Sequence, residues 1–293
     1  MRLSTSTNIL CERPDGSQYS LEKTLKLCRE AGFDTFDMSF YEYAYDGMPF
    51  IGEDWERWID SAAECAARLG VSFYQGHAYT YDFLNPKFDG KREWQEELVL
   101  RSLKCCSKLG TKIIVMHPSR NVFSDENSQE TWQKNRVYFE KWLKIADDLG
   151  MEVAVENLYQ YSGHEEKPFF YDPEEIVSYI NDFGDSRLGV CWDFEHGVIL
   201  DQDQPRAVRI LGDHLKATHV SDTVSKDFEP YMHVMPFIGV TQWKPIIEAL
   251  REINYQGAFS FEAHNFTKKL PEELIPTAMK FAWEIGRYLT EIL

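Results

Sequence analysis

The sequence predicts an α/β protein built as a single (β/α)8 TIM barrel, and two observations carry this prediction. Short runs of β-branched or aromatic residues alternate along the 293 residues with longer segments of helical period. No Ser-, Gly- or Pro-rich linker, charge block or low-complexity tract interrupts the alternation. Strict alternation implies a parallel sheet covered by helices, and eight such units over this length match a closed barrel. We therefore expect one domain over residues 1–293.

The elements follow one another in strict order. The predicted strands are Leu3–Asn8, Phe33–Ser39, Val71–His77, Lys112–His117, Glu152–Glu156, Leu188–Asp193, Ala217–Ser221 and Ala258–Glu262. The predicted helices are Ser20–Ala31, Trp55–Leu69, Trp94–Leu109, Gln129–Leu149, Pro173–Asn181, Pro205–Leu211, Trp243–Ile253 and Pro271–Leu289.

Glycine and proline mark several of these boundaries. The stretches AGFD, RLGV, KLGT and DLGM place Gly just after a helix, where a left-handed residue is favoured. Pro173 and Pro271 stand where a first helical turn tolerates a missing N–H. An open doubly wound sheet is the main alternative, but no GxGxxG follows the first strand and no P-loop sequence occurs. The boundaries therefore favour the closed barrel.

Composition indicates a soluble globular protein. The chain is 43% hydrophobic and 14% aromatic, which is enough for a packed core. No segment approaches the roughly 18 to 20 apolar residues of a membrane helix. The N-terminus, MRLSTSTNIL, does not resemble a signal peptide. The six cysteines form no CxxC pair and are interpreted as buried thiols, so we expect a cytoplasmic protein.

The formal net charge of −17 bears on the choice of partner. Nucleic acid binding draws most of its affinity from Lys and Arg placed against phosphates, and anionic membranes also attract cations. Both partners are therefore disfavoured. A small-molecule substrate is favoured, and self-association into a homo-oligomer is left open.

Titratable residues recur at the C-terminal ends of six successive strands, where barrel enzymes have their active sites. The gaps between these residues are 40, 39, 37, 26 and 43 residues, which is the spacing of the repeat unit itself. Parallel strands are buried on both faces, so charged groups there need a partner or a metal. Convergent imidazoles and carboxylates suit a divalent ion such as Zn, Mn, Co or Mg. In chain order these residues are His77, His117, Glu156, Asp193, His219 and Glu262.

Taken singly, each residue also has a structural interpretation. A lone histidine at a strand end is more often a hydrogen-bonded structural residue, and a lone Asp or Glu can cap the following helix. Six such residues at one rim favour a functional cluster.

Two residues next to these positions have both a functional and a structural interpretation. Asn157 either supports a ligand or is structural, and His264 either lies near the metal or ends the strand. The aromatic stretch FYEYAYDGMPF (Phe40–Phe50) is either a lid over the rim or a packed loop.

These motifs resemble the xylose isomerase-like barrels, a superfamily of sugar isomerases and epimerases that also includes endonuclease IV. The resemblance covers nearly the whole chain. It is carried by GHA (Gly76–Ala78), MHPS (Met116–Ser119), VAVEN (Val153–Asn157), GVCWDFEH (Gly189–His196), THVSD (Thr218–Asp222), MHVMPFIGV (Met232–Val240) and FSFEAH (Phe259–His264).

The ketose 3-epimerase branch of this superfamily implies a specific site. One divalent metal ion would be held by Glu156, Asp193, His219 and Glu262, and His196 would contact substrate oxygens. A metal that chelates a ketone and its neighbouring hydroxyl stabilises the enediolate formed on deprotonation. Glu156 and Glu262 are then the predicted catalytic acid and base, on opposite faces of the reacting carbon.

Two departures from the epimerases concern substrate binding. Ser162 stands where those enzymes have a second Glu, six residues after the strand-five ligand. No Arg follows strand seven, and only Lys226 and His233 lie nearby. Endonuclease IV adds metal-binding histidines that His77, His117 and His233 match, together with an Asp two residues before the last of them. That position here is Tyr231, so DNA repair is disfavoured.

The leading hypothesis is a metal-dependent isomerase or epimerase of a small sugar, keto-polyol or related carbohydrate, with His77, His117, His196 and His233 as substrate-binding residues. A metal-dependent dehydratase of a keto-polyol is the second hypothesis, because the same enediolate can lose a β-hydroxyl, with His233, His196 or Tyr231 as proton donor. A multinuclear phosphoesterase and a barrel that binds a metabolite without turnover are further alternatives. Metal stoichiometry separates the phosphoesterase from the others.

Overall fold

Eight parallel strands form a closed barrel in the computed structural model of the chain, which describes residues 1–120, 127–159, 169–226 and 231–293. Each strand pairs with the next in the sequence, and the last pairs with the first. This arrangement confirms the predicted (β/α)8 barrel. The strands are β1 (Arg2–Ser6), β2 (Thr35–Ser39), β3 (Ser72–His77), β4 (Ile113–Met116), β5 (Glu152–Glu156), β6 (Leu188–Asp193), β7 (Leu215–Val220) and β8 (Ala258–Phe261).

Helices cover the outside of the barrel. In the described ranges they are α1 (Leu21–Ala31), α2 (Trp55–Leu69), α3 (Arg92–Leu109), α4 (Ser128–Asp148), α5 (Pro173–Phe183), α6 (Phe194–Ile199), α7 (Gln204–Leu211), α8 (Trp243–Glu252) and α9 (Ile275–Arg287). Short 3₁₀ helices join several elements, among them Thr7–Leu10 after β1 and Tyr41–Tyr43 after β2.

The structure corrects four of the predicted boundaries. β4 ends at Met116 and β8 at Phe261, so His117 and Glu262 each follow the strand by one residue. Asn8 belongs to the 3₁₀ helix after β1 instead of the strand itself, because the Ser6 hydroxyl accepts from the Asn8 N–H and turns the chain. Pro271 precedes a 3₁₀ turn, and α9 begins only at Ile275.

Helix α6 is the one described helix of more than four residues that the sequence did not predict. It begins directly at the end of β6, where the Asp193 side chain caps it by accepting from the His196 N–H at 2.9 Å. Six residues are too few to show a helical period. The predicted glycine cap at the end of α2 is confirmed, because Gly70 adopts the left-handed conformation with φ of 64°.

Side chains alternate between the barrel interior and the helices. Ala154, Cys191 and Ala217 form part of a small apolar cluster inside the barrel. A period of two residues then directs Glu156, Asp193 and His219 inward as well, one layer closer to the C-terminal rim. The larger hydrophobic core lies between the strands and the surrounding helices. The fold thus brings the predicted residues to one end of the interior.

All six cysteines are buried and none forms a disulfide bond. Within the described ranges, each helix is either too short or too polar to cross a bilayer.

Gly76 marks a close approach of α3 to β3, and this contact yields a prediction. A Cβ atom at Gly76 would lie 2.5 Å from Cys106 Sγ and 3.3 Å from the Met38 carbonyl oxygen. We expect Gly76→Ala to lower the free energy of unfolding by about 1–3 kcal/mol, because the packed core must shift. Urea denaturation followed by circular dichroism measures the loss.

Gly52→Ala is the matched control. A Cβ atom at Gly52 would lie 3.4 Å from the Pro49 carbonyl oxygen, which is an ordinary contact, and the φ of −73° suits an alanine. The control should stay within about 0.5 kcal/mol of the wild type. Adding Cys106→Ala to Gly76→Ala should restore part of the lost stability. Equal stability of Gly76→Ala and the wild type would contradict the close packing.

Candidate metal and substrate site

A cavity of about 750 Å³ opens at the C-terminal end of the barrel. Asp193 and His219 are fully buried just beneath it, so the barrel gathers all eight predicted site residues at this end. The predicted residues that line the cavity are His77, His117, Glu156, His196, His233 and Glu262.

Four of these residues form a compact cluster of potential metal ligands. One ligand atom each from Glu156, Asp193, His219 and Glu262 lies within 4.8 Å of the other three. His219 Nδ1 is 2.9 Å from Glu156 Oε1 and 3.0 Å from Glu262 Oε2. This set is the one that the resemblance implied.

The electrostatics of the cluster fit a divalent cation. Burial and the charge of Glu156 raise the pKa of both Asp193 and Glu262, because three carboxylates crowd into one buried space. Asp193 Oδ2 is fully buried and accepts no hydrogen bond within the described ranges. A cation at this point would satisfy that oxygen and neutralise the crowded charge. Three carboxylate oxygens and one imidazole form a donor set that suits Mn, Co, Mg or Zn.

Asp37 holds His219 from the other side, and the sequence analysis did not single it out. The Asp37 side chain lies inside the barrel on β2, and its Oδ2 is 3.1 Å from His219 Nε2. The same oxygen accepts from Gln75 Nε2 at 2.8 Å. Nδ1 of His219 is thereby left to face Glu156 and Glu262. A carboxylate behind a metal-binding histidine orients the ring and raises its basicity.

His77 and His117 form a second group of potential ligands with Glu156. Nε2 of His77, Nε2 of His117 and Oε2 of Glu156 are each 3.0 Å from the other two. The two oxygens of Glu156 therefore face different groups, Oε1 toward His219 and Oε2 toward this pair. Burial lowers the pKa of His117 to about 4. Burial also opposes the charged form of His77, but Glu156 and Glu262 together outweigh it and raise the pKa of His77 to about 9.

His196 lies beside the four-residue cluster. Its Nδ1 is 2.8 Å from the Asn157 carbonyl oxygen, so this nitrogen carries the proton. Its Nε2 lies 3.7 Å from Asp193 Oδ2. Asn157 also joins β5 to β6, because its side-chain amide bonds both the N–H and the carbonyl of Asp193. Asn157 therefore supports the ligand Asp193.

His233 is paired with a buried acid that the sequence analysis also missed. His233 Nδ1 lies 3.0 Å from Glu195 Oε2, and Glu195 also accepts from the His233 backbone N–H. Burial opposes the charged imidazole, but Glu195, together with Glu262 and Asp193, outweighs burial and raises the pKa of His233 to about 10. His264 stacks on this ring at 4.2 Å, and burial holds its pKa well below the usual value. The cavity therefore has an imidazolium at one side.

Other predicted positions fall elsewhere. Lys226 forms an ion pair with Asp201 and is not among the cavity-lining residues. Ser162 lies outside the described residues. Tyr231 is half exposed. In the aromatic stretch after β2, Phe40 and Phe50 are buried in the core, whereas Tyr41 and Glu42 line the cavity.

Comparisons with known proteins agree with the barrel fold. The family model described as xylose isomerase-like TIM barrel matches residues 25–284. A D-psicose 3-epimerase from Enterocloster bolteae is 28% identical over 119 residues, which are 41% of this chain and 36% of that protein.

Two solved structures share the fold over nearly the whole chain. The IolI protein with a bound zinc atom has a TM-score of 0.78 at 19% identity, and the match covers 100% of both chains. A D-psicose 3-epimerase crystallised in the presence of D-fructose has a TM-score of 0.74 at 16% identity and 99% coverage of both chains. At these identities the likeness concerns the fold.

The Glu195–His233 pair yields a prediction about stability. Glu195→Gln keeps the shape of the side chain but leaves the buried imidazolium without its counter-ion. We expect the free energy of unfolding to fall by about 1–3 kcal/mol. The loss is limited because His233 can release its proton, and a neutral imidazole needs no counter-ion. Urea denaturation at neutral pH measures the loss.

Ser221→Ala is the comparison, because it removes only the 2.6 Å hydrogen bond from Ser221 Oγ to Glu195. The loss there should be about 1 kcal/mol. Combining Glu195→Gln with His233→Asn should cost less than the two single changes added together. Strict additivity would show that the two side chains do not interact.

Proposed function

Because the chain belongs to the family of xylose isomerase-like TIM barrels, we propose that it is a metal-dependent isomerase or epimerase of a small sugar or keto-polyol. The observation that carries the proposal is the cluster of Glu156, Asp193, His219 and Glu262, whose ligand atoms lie within 4.8 Å of one another. The cavity above this cluster has room for a sugar.

The residues for a metal ion are the four members of that cluster. A divalent ion bound there would act as a Lewis acid on a carbonyl oxygen and make the adjacent C–H more acidic. Asp37 would keep the His219 ring oriented through Nε2, and Asn157 would keep the Asp193 backbone in place. The described side chains thus prepare the site without rearrangement.

Proton transfer falls to Glu156 and Glu262. Glu156 ends β5 and Glu262 directly follows β8, and each places an oxygen about 3 Å from the same nitrogen of His219. A substrate carbon above the cluster would have one carboxylate on each face. One Glu removes the proton from the carbon beside the carbonyl, and the other returns a proton to the opposite face. Return to the neighbouring carbon would instead give isomerisation.

The relatives favour a ketose as substrate. A D-psicose 3-epimerase is among both the sequence relatives and the solved structures of similar fold. His196 and His233 lie at the edge of the cavity, where the proposal assigns them to substrate oxygens, together with His77 and His117. A neutral sugar also agrees with the strongly acidic character of the chain.

A second candidate is a hydrolase with two or more ions, and one observation favours it. The triangle of His77, His117 and Glu156, with sides of 3.0 Å, offers a second set of ligands that shares Glu156 with the first. Two ions bridged by a carboxylate are typical of phosphoesterases. Metal stoichiometry separates this candidate from the single-ion epimerase.

Solvent deuterium tests the leading proposal. The metal-loaded protein is incubated in D2O with D-fructose, D-psicose and D-tagatose, and label in the sugar C–H bonds is followed by NMR. We expect label to enter beside the carbonyl, and Glu156→Gln and Glu262→Gln should each slow its entry at least about 100-fold, since each removes a proton-transfer group. Mass spectrometry of the same samples counts the ions per chain.

Glu152→Gln is the control, since Glu152 begins the same strand at the opposite, exposed end. It should exchange label like the wild type. Absence of exchange with any ketose, although one ion is bound, would refute the isomerase proposal. Two or more ions per chain would favour the hydrolase.

The role of Asp37 can be tested through metal affinity. Asp37→Asn removes the charge behind His219, and we expect zinc affinity to fall about 10- to 100-fold. Competition with a chromophoric chelator measures the affinity. Asp34→Asn serves as control, because Asp34 is exposed one residue before the same strand. Unchanged affinity in Asp37→Asn would remove Asp37 from the site.

A further inference from the structure

The β1–β2 side of the cavity contains polar groups that the proposed mechanism does not use. Asn8 lies in the 3₁₀ helix after β1, and Glu42 lies in the 3₁₀ helix after β2. In the closed barrel β1 lies between β2 and β8, and Glu262 directly follows β8. All three side chains line the cavity.

Asn8 joins the two acids. Its Nδ2 is 3.2 Å from Glu262 Oε1 and 3.4 Å from Glu42 Oε1. Ionised carboxylates only accept hydrogen bonds, so the amide nitrogen must face them and Oδ1 must point away. Asn8 is 2% exposed, and nothing in the described part of the chain donates to Oδ1. Asn8 therefore acts through its Nδ2 group, which fixes the positions of both carboxylates.

Glu42 is held in place as a second acceptor. Ser39 Oγ donates to Glu42 Oε2 at 2.5 Å, and Asn8 donates to Oε1. Each carboxylate oxygen can accept more than one hydrogen bond, so Glu42 retains acceptor capacity toward the cavity. Ser39 and the ring of Tyr41 line the cavity beside it. This wall therefore offers acceptors and an aromatic surface.

We propose that Glu42, held in place by Asn8 and Ser39, forms a hydroxyl-binding subsite for the part of a neutral polyol or sugar that lies against the β1–β2 wall of the cavity. Hydroxyl groups can donate to the carboxylate of Glu42, whereas a phosphate or carboxylate brings negative charge and acceptors to the same wall. The subsite thus selects hydroxylated substrates and excludes their phosphate esters from this side. This inference deepens the proposed function and rests on it.

Binding tests the subsite without turnover. Titration calorimetry on the zinc-loaded protein compares sorbitol and xylitol with sorbitol 6-phosphate. We expect the two neutral polyols to bind the wild type at least tenfold more tightly than the phosphate ester. Glu42→Ala should weaken sorbitol at least tenfold, as expected for the loss of a hydrogen bond to a charged group. Glu42→Gln should reduce the discrimination against the phosphate by a similar factor, because it removes only the charge.

Kinetics supply a second readout. In the deuterium assay with D-fructose and its 1- and 6-phosphates, Glu42→Ala should raise KM about tenfold and change kcat less than about threefold, since Glu42 holds substrate and transfers no proton. Glu53→Gln is the matched control, because it removes one negative charge from an exposed position of the same β2–α2 connection. It should behave like the wild type in both assays.

The outcomes separate the two proposals. Polyol binding that depends on Glu42, without deuterium exchange in any ketose, would keep the subsite and refute the isomerase. A second outcome would overturn the subsite alone. In that outcome the wild type exchanges deuterium, and both Glu42 variants keep the wild-type KM and the wild-type discrimination against phosphate. Failure of the wild type to bind either polyol would also overturn it.

Discussion

The burial of several carboxylates around His219 is the constraint on which the rest of the site depends. Glu156 ends β5, Asp193 ends β6 and Glu262 directly follows β8, and each is placed where water cannot solvate it fully. Acids in such a position must be protonated, paired with imidazole or bound to a cation. His219 meets part of this demand through Nδ1, while Asp37 fixes its other nitrogen. The remaining demand is for positive charge, which a divalent ion can supply.

The barrel meets this constraint through small side chains one layer below. Ala154, Cys191 and Ala217 precede Glu156, Asp193 and His219 by two residues, so they point into the same interior. Because these side chains are small, the interior above them is not filled by aliphatic groups and can hold the carboxylates and the imidazole. Asp193 lies opposite His219 in the pairing of β6 with β7, which brings these two ligands to one level. The metal cluster is therefore a consequence of strand register as much as of residue type.

The metal ligands could be predicted from their positions at strand ends, whereas the residues that contact them are distant in the sequence and could not. Glu156 and Asp193 end long apolar runs, so their positions at the rim could be predicted from the sequence. Asp37 lies inside a strand, and only the closed barrel shows that it contacts His219, 182 residues away. Glu195 was hidden in the unpredicted helix α6. Asn8 and Glu42 meet Glu262 because β8, β1 and β2 are neighbours, which no short stretch records.

His219 and His233 each contact a buried carboxylate, but the net charge around the two rings differs. His219 stands between Asp37 and two further acids, so its surroundings carry more negative charge than one imidazolium can balance. His233 forms a single buried pair with Glu195, and that pair is close to neutral as a whole. The need for a cation is thus confined to the side of the cavity with β5 to β8, where the proton-transfer groups lie. The β1–β2 wall, with Asn8 and Glu42, is left free to bind a neutral, hydroxylated substrate.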